Sequence, residues 1–189
     1  MIGLIHKVLF GAVEALGGEQ AVAAVRERAG VSPEQEFRLN ATYDDTECGR
    51  LFAATGEVLD LGPEEVIEIY ADAFLQDSRD RWPMWFKMSQ NSKELLQRQP
   101  QIHNSLAAGL KNDEERRRIA DKFQIDIGDR VIVTHYRSSN HLCKLYMALV
   151  RRVVALYGDV ATIEEPVCMQ EGHDECQIRI EWSRLGEAG

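Results

Sequence analysis

The hydrophobic period of this chain changes once, at Phe123. Before that point apolar residues recur at helical spacing, as in Ile2, Ile5, Leu9, Val13 and Leu16, which gives a helix one apolar face. After it the spacing drops to two, the period of a half-buried strand. Gly17-Gly18 stops the first helix, and a second covers Glu19 to Ala29 before Gly30. Asp44 to Glu47 starts a helix running to about Ala54 or beyond. Gly62-Pro63 opens another, reaching about Leu75, with Glu64 and Glu65 where the helix dipole favours acids. Pro83 discourages helix at Trp82. Ser92 to Leu110 is helical, kinked or restarted at Pro100, and Asn112 to Asp121 is a solvated turn or short helix. Beyond Phe123, two strands flank Gly128-Asp129. A helix from about Asn140 to Tyr157 follows, then strands Val160 to Met169 and Cys176 to Trp182 around Gly172-His173-Asp174. The expected class is α+β: one domain over 1–189, with an N-terminal helical lobe (1–60) followed by a C-terminal lobe (61–185) that carries an antiparallel sheet of about four strands and flanking helices.

Charge narrows the function. The 22 basic residues against 31 acidic ones leave a net charge of −9. Such a chain is a poor ligand for nucleic acid, whose binding depends on neutralising phosphates, and for anionic membrane. Its apolar stretches read as shorter than the roughly 20 residues of a membrane span. Met1 to Leu16 lacks the basic start and small-residue cleavage site of a signal peptide. The expected location is cytoplasmic. There is no G-x-G-x-x-G, G-x-x-x-x-G-K-[ST], G-x-S-x-G or H-E-x-x-H motif, and no nucleophile stands beside a base, so the chain reads as a protein other than an enzyme.

Three constellations remain. His103 shares a helical face with Leu96, Leu106 and Leu110. It can offer a ring nitrogen to a buried metal or porphyrin iron; a core histidine bonded to a carbonyl is the plainer account, and local pattern alone favours it. Tyr136-Arg137-Ser138-Ser139-Asn140 leaves a strand just before a helix. It can grip a carboxylate or simply cap that helix, and local pattern favours the cap. Cys168 and Cys176 lie symmetrically about Gly172, and Cys143 starts the preceding helix. Three thiolates with His173, Glu165 or His141 would close a tetrahedral zinc site; buried free thiols or a reversible Cys168–Cys176 disulfide are the alternatives. Cys48 stands apart.

Taken together and in this order, these pieces resemble the H-NOX family of haem nitric oxide/oxygen-binding domains, in its proteobacterial stand-alone form. The similarity runs from Met1-Ile2-Gly3-Leu4-Ile5 through His103 and Tyr136–Cys143 to Pro166–Cys176. It implies haem b with its iron on His103, and haem propionates held by Tyr136 and Ser138. The third member of the Tyr-x-Ser-x-Arg motif is absent, because Asn140 stands where arginine is expected; asparagine brings neither charge nor a bidentate fork. Pro100 and the charged 111–122 segment also differ from the family pattern. The distal positions are Leu9, Ala73 or Phe74, and Leu145, all apolar, which implies binding of NO in preference to O2. The family parallel also implies a structural zinc on Cys143, Cys168 and Cys176, with His173 among the candidates for the fourth ligand. By the same resemblance, NO binding loosens the His103–iron bond, one lobe shifts against the other, and a histidine kinase or cyclic-di-GMP enzyme in trans reads the change. Two other readings stay open: a haem-free interaction module, and a thiol or zinc redox sensor using Cys143, Cys168 and Cys176.

Overall fold

A computed structural model describes residues 1–186. The chain divides into two compact units, with the boundary between Asp77 and Ser78 rather than after residue 60.

The first unit is helical. Helix α1 (Gly3–Ala29) is interrupted at Gly18, whose φ of 71° and ψ of −174° are not helical; a residue with a Cβ would be strained there, and the two helices expected from the sequence meet at that point. Helix α2 (Asp45–Leu59) begins at Asp44, whose carboxylate accepts the Thr46 backbone N–H at 2.7 Å. Helix α3 (Pro63–Arg81) extends past the expected end near Leu75. Its Val66, Tyr70 and Ala71 are buried and the Tyr70 hydroxyl donates to the Ile5 carbonyl at 3.3 Å, which ties the helix as far as Asp77 to the first unit. By length and composition α1 is apolar enough to cross a membrane, with a mean hydropathy of 1.4, against the expectation from the sequence; its Ala and Gly residues fill the gaps between few charges. Leu4, Val8, Leu9, Val13 and Val25 of this helix are nevertheless buried in the core of the unit.

That core holds His6, fully buried and stacked 4.3 Å from Phe37. Neither ring nitrogen has a hydrogen-bond partner, and burial lowers its pKa from 6.5 to about 4. The unfolded chain therefore binds a proton at a pH where the folded chain does not. The stability this histidine contributes is complete above pH 6.5 and is lost as pH falls toward 4. The expected loss is about 3 kcal/mol across that window, at 1.36 kcal/mol per pKa unit. Urea unfolding of wild type and His6→Phe at pH 7 and pH 4.5 measures it; an equal acid loss in both would contradict this account.

The second unit begins with short helices. Trp82 is non-helical, with φ −131°, and α4 (Pro83–Lys87) starts at the proline. Helices α5 (Ser92–Gln97) and α6 (Gln99–Ala107) are the expected segment restarted at Pro100. Helix α7 (Asp113–Ala120) is capped by Asn112. Strands β1 (Phe123–Ile127) and β2 (Val131–Tyr136), helix α8 (Cys143–Leu156), and strands β3 (Val160–Val167) and β4 (Cys176–Arg184) follow. The sheet is antiparallel throughout, in the order β1-β2-β4-β3. Its inner face carries Ile132, Thr134 and Tyr136 of β2 and Cys176, Ile178, Ile180 and Trp182 of β4, all buried. Alternation places them together. Buried Leu145, Tyr146, Ala148 and Val150 form the apolar face of α8, and the Tyr146 hydroxyl meets the Thr134 hydroxyl at 3.0 Å. Asp159, just past Gly158 (φ 66°), accepts the Ser92 N–H at 2.7 Å and also bonds the Ser92 hydroxyl, which in turn accepts Trp182 Nε1–H at 2.8 Å. This buried relay ties α5 to the ends of β3 and β4. The expected α+β class, with its four-stranded antiparallel sheet, is the observed one.

Candidate functional site

His103 lies in the middle of α6, which packs on α7 and β1. Its ring sits 4.6 Å from that of Phe123, the first residue of β1. Phe123 in turn touches the rings of Tyr136 and Tyr146, each at 5.1 Å. An aromatic ladder thus runs from the histidine into the sheet core. His103 Nδ1 is buried and has no hydrogen-bond partner. Burial, and then the Lys122 ammonium, lower its pKa to about 4, and the Ile119 backbone acts in the opposite direction. The imidazole is therefore neutral at pH 7, the form that ligates a metal. A neutral imidazole with a buried, unpartnered nitrogen is in the form that can ligate a metal or porphyrin iron.

Tyr136 is buried at the end of β2, and its hydroxyl accepts the Leu142 N–H at 3.4 Å. Burial pushes its pKa up to about 12, so it remains a neutral donor. Ser138 follows in the loop and accepts the Asn140 N–H at 3.4 Å. None of Ser138, Ser139 and Asn140 caps α8: the cap residue is Leu142, with no side-chain bond. The capping account of this segment falls, because His141 takes a left-handed turn (φ 51°) and delays the helix to Cys143. Of the apolar positions, Leu145 is buried in the second unit. Leu9 and Phe74 belong to the first, where Leu9 is buried and Phe74 lies 5.9 Å from Tyr70.

The cysteines form a second cluster. Cys143, Cys168, Cys176 and Glu165 place their ligand atoms within 4.8 Å of one another. The sulfurs of Cys143 and Cys168 are 3.8 Å apart, and those of Cys168 and Cys176 are 4.0 Å apart. Bonds of about 2.3 Å to a tetrahedral zinc would hold sulfurs about 3.8 Å from each other. All four cysteines of the chain are free thiols, and Cys48 stands buried in the first unit as expected. Glu165 Oε2 pairs with Lys144 at 2.8 Å, whereas Oε1 is buried and unpartnered. Burial raises the pKa of Cys143, and the Glu165 carboxylate raises it further. Burial also works to raise Glu165, but Lys144 and the neighbouring thiols more than offset it and leave it lowered. His173 is exposed in the hairpin turn and outside the cluster. The ligand set that the structure brings together contains Glu165 in its place. The signal was in β3: Ile163, Glu165 and Val167 share the less exposed phase of its alternation, and a carboxylate in that phase points where a ligand is needed.

A model of the haem-NO-binding family, HNOB, matches residues 2–165. The chain belongs to the haem-NO-binding family. This is a family of haem-based gas-sensor domains rather than of enzymes. Among the relatives of this haem-NO-binding chain is the soluble guanylate cyclase gcy-37 of Caenorhabditis elegans, 25% identical over 179 residues, which are 93% of this chain and 24% of the cyclase. The chain thus spans about a quarter of the length of that relative. Its fold is similar to that of an H-NOX protein from S. oneidensis in the Fe(II) ligation state, with a TM-score of 0.81 at 16% identity, covering 100% of both chains. It is also similar to an oxygen-binding H-NOX domain related to soluble guanylate cyclases, with a TM-score of 0.75 at 16% identity, covering 98% of this chain and 96% of that one. The family match includes His103, Tyr136 and Ser138 but ends at Glu165, so Cys168 and Cys176 of this haem-NO-binding chain lie beyond it.

Proposed function

We propose that the chain is a haem-based gas sensor in which His103 is the protein ligand to the iron. The observation that carries this reading is the neutral His103 ring, with its buried, unpartnered Nδ1, inside the span matched by the family. Ferrous haem supplies the open coordination position at which a diatomic gas binds. The chain's own residues do the rest. The Phe123 ring packs on the imidazole; Tyr136 stays protonated and donates to an anionic group; Ser138 adds a second hydroxyl donor.

The gas preferred is NO over O2. The iron–O2 unit is polar and gains from a hydrogen-bond donor, whereas NO needs none. Leu9, Ala73, Phe74 and Leu145 bring no such donor. Haem-loaded, reduced protein is expected to form a nitrosyl spectrum with NO and no lasting oxy spectrum in air. A stable oxy band in air would reverse the preference. The signal passes to a partner enzyme, a histidine kinase or a cyclic-di-GMP enzyme, in the cytoplasm; the match to a quarter of a guanylate cyclase supports reading the chain as a sensing piece of such a system.

A second reading concerns the cysteine cluster, favoured by its sulfur spacing and by the unpartnered Glu165 Oε1. Cys143, Cys168, Cys176 and Glu165 hold a structural zinc. Three thiols and a carboxylate packed this closely repel one another once ionised, and a divalent cation removes that repulsion.

A further inference from the structure

The Lys144–Glu165 pair lies at the rim of the cysteine cluster. Lys144 follows Cys143 directly at the start of α8, and its ammonium meets Glu165 Oε2 at 2.8 Å. An ion pair between two exposed side chains contributes little, and the Lys144 side chain is 58% exposed. Glu165 makes this pair different. Its side chain is only 5% exposed, and Oε1 is buried with no hydrogen-bond partner. Leaving a buried acceptor unsatisfied costs free energy. One oxygen of this carboxylate is thus committed to the lysine and the other is kept from both water and protein.

The backbone turns Glu165 toward the thiols. Between the pairs Glu164–Arg179 and Val167–Gln177, three steps along β3 match two along β4. The extra residue makes a β-bulge at Glu165 and Pro166, and bulges re-aim side chains beside functional sites. Pro166 suits the place, since it has no N–H to lose from the ladder. One Glu165 oxygen comes within 4.8 Å of all three sulfurs.

The sulfurs have donors of their own. The Met169 N–H reaches Cys176 Sγ at 3.2 Å, and Gln170 Nε2 reaches Cys143 Sγ at 3.9 Å. Both donors are uncharged. Three thiolates and a carboxylate carry four negative charges, and a divalent cation offsets two of them. The excess is costly in a buried cluster unless a cation stands beside it, and Lys144 brings that cation.

We propose that Lys144 is a positioning residue for the zinc cage: it occupies Oε2 of Glu165, leaves Oε1 to the metal, and offsets part of the excess negative charge. The inference rests on the zinc reading above. Partners that hold ligating carboxylates fix their orientation, and losing one costs about 10- to 100-fold in metal affinity.

The test uses the full chain reconstituted with zinc. Affinity is read by competition with a chromophoric chelator, and circular dichroism checks the fold of each variant. Cobalt(II) then replaces zinc, and its visible spectrum reports the donor set. Lys144→Gln is expected to weaken zinc binding about 10- to 100-fold and to shift the cobalt bands toward those of Glu165→Gln. Lys144→Arg keeps the charge and is expected to recover most of the affinity and the wild-type bands. In the Glu165→Gln background, Lys144→Gln is expected to change zinc affinity little, because the lysine acts through the carboxylate. Equal affinity in wild type and Lys144→Gln, or the same cost of Lys144→Gln in both backgrounds, overturns the positioning role while the zinc reading stands. Zinc held by Glu165→Gln as tightly as by wild type also overturns it, and leaves a site of three cysteines. Wild type that takes up no zinc overturns both.

Discussion

Replacing His103 by alanine is expected to abolish the Soret band of the purified protein and to leave the fold intact. The imidazole is the histidine that α6 presents, and its neighbour Phe123 also packs on Tyr136 and Tyr146. Outer-shell partners of metal sites contribute roughly 10- to 100-fold in affinity, and loss of a direct ligand exceeds that. Haem reconstitution followed by desalting measures it, with His103→Gly as a companion. The smaller glycine leaves room for free imidazole, and millimolar imidazole is expected to return the band. Haem retained equally by wild type and both variants would mean that another residue ligates the iron. No band in any of the three would favour a haem-free interaction module.

Substituting Cys176 by serine is expected to release zinc and to weaken the second unit. Cys176 sits on β4 opposite Tyr136 in the sheet register, and its sulfur accepts the Met169 N–H at 3.2 Å. Zinc bound to the folded chain stabilises it by about 4 kcal/mol when free zinc is about 1,000 times Kd. Cys176→Ser loses most of that increment and, in the absence of zinc, much less. Zinc content by mass spectrometry and urea unfolding with and without a chelator report the two effects separately. Acid acts in the same direction. Thiols must lose protons to bind zinc, and Cys143 holds its proton more tightly than an ordinary thiol because of burial and the Glu165 charge. Zinc affinity therefore falls as pH falls. Wild type purified without zinc, even after reconstitution, would leave the cluster as buried thiols or as a redox switch.

Much of this architecture was legible before any coordinates. The breaks at Gly18, Pro83, Pro100 and Gly158 follow from backbone rules that hold in any context, and the structure interrupts the chain at each. The unit boundary was less legible. No composition change marks Asp77, and the membership of α3 depends on Tyr70 reaching Ile5, a contact 65 residues away in sequence. The fourth ligand of the cysteine cluster stayed open among His173, Glu165 and His141 for a similar reason. Histidine is the commoner zinc ligand by type, but the hairpin turn leaves His173 in solvent, and the pleat of β3 brings Glu165 in.

The sheet pairing has a mechanical consequence. Tyr136 faces Phe123 on one side and Cys176 on the other in the rungs of the sheet, and its hydroxyl accepts the N–H of the residue that precedes Cys143. The tyrosine proposed to touch haem is therefore bolted at two points to the frame of the thiol cage. A ligand that moves this tyrosine and a metal held by the sulfurs would then be linked reciprocally, each changing the other's affinity by the same factor.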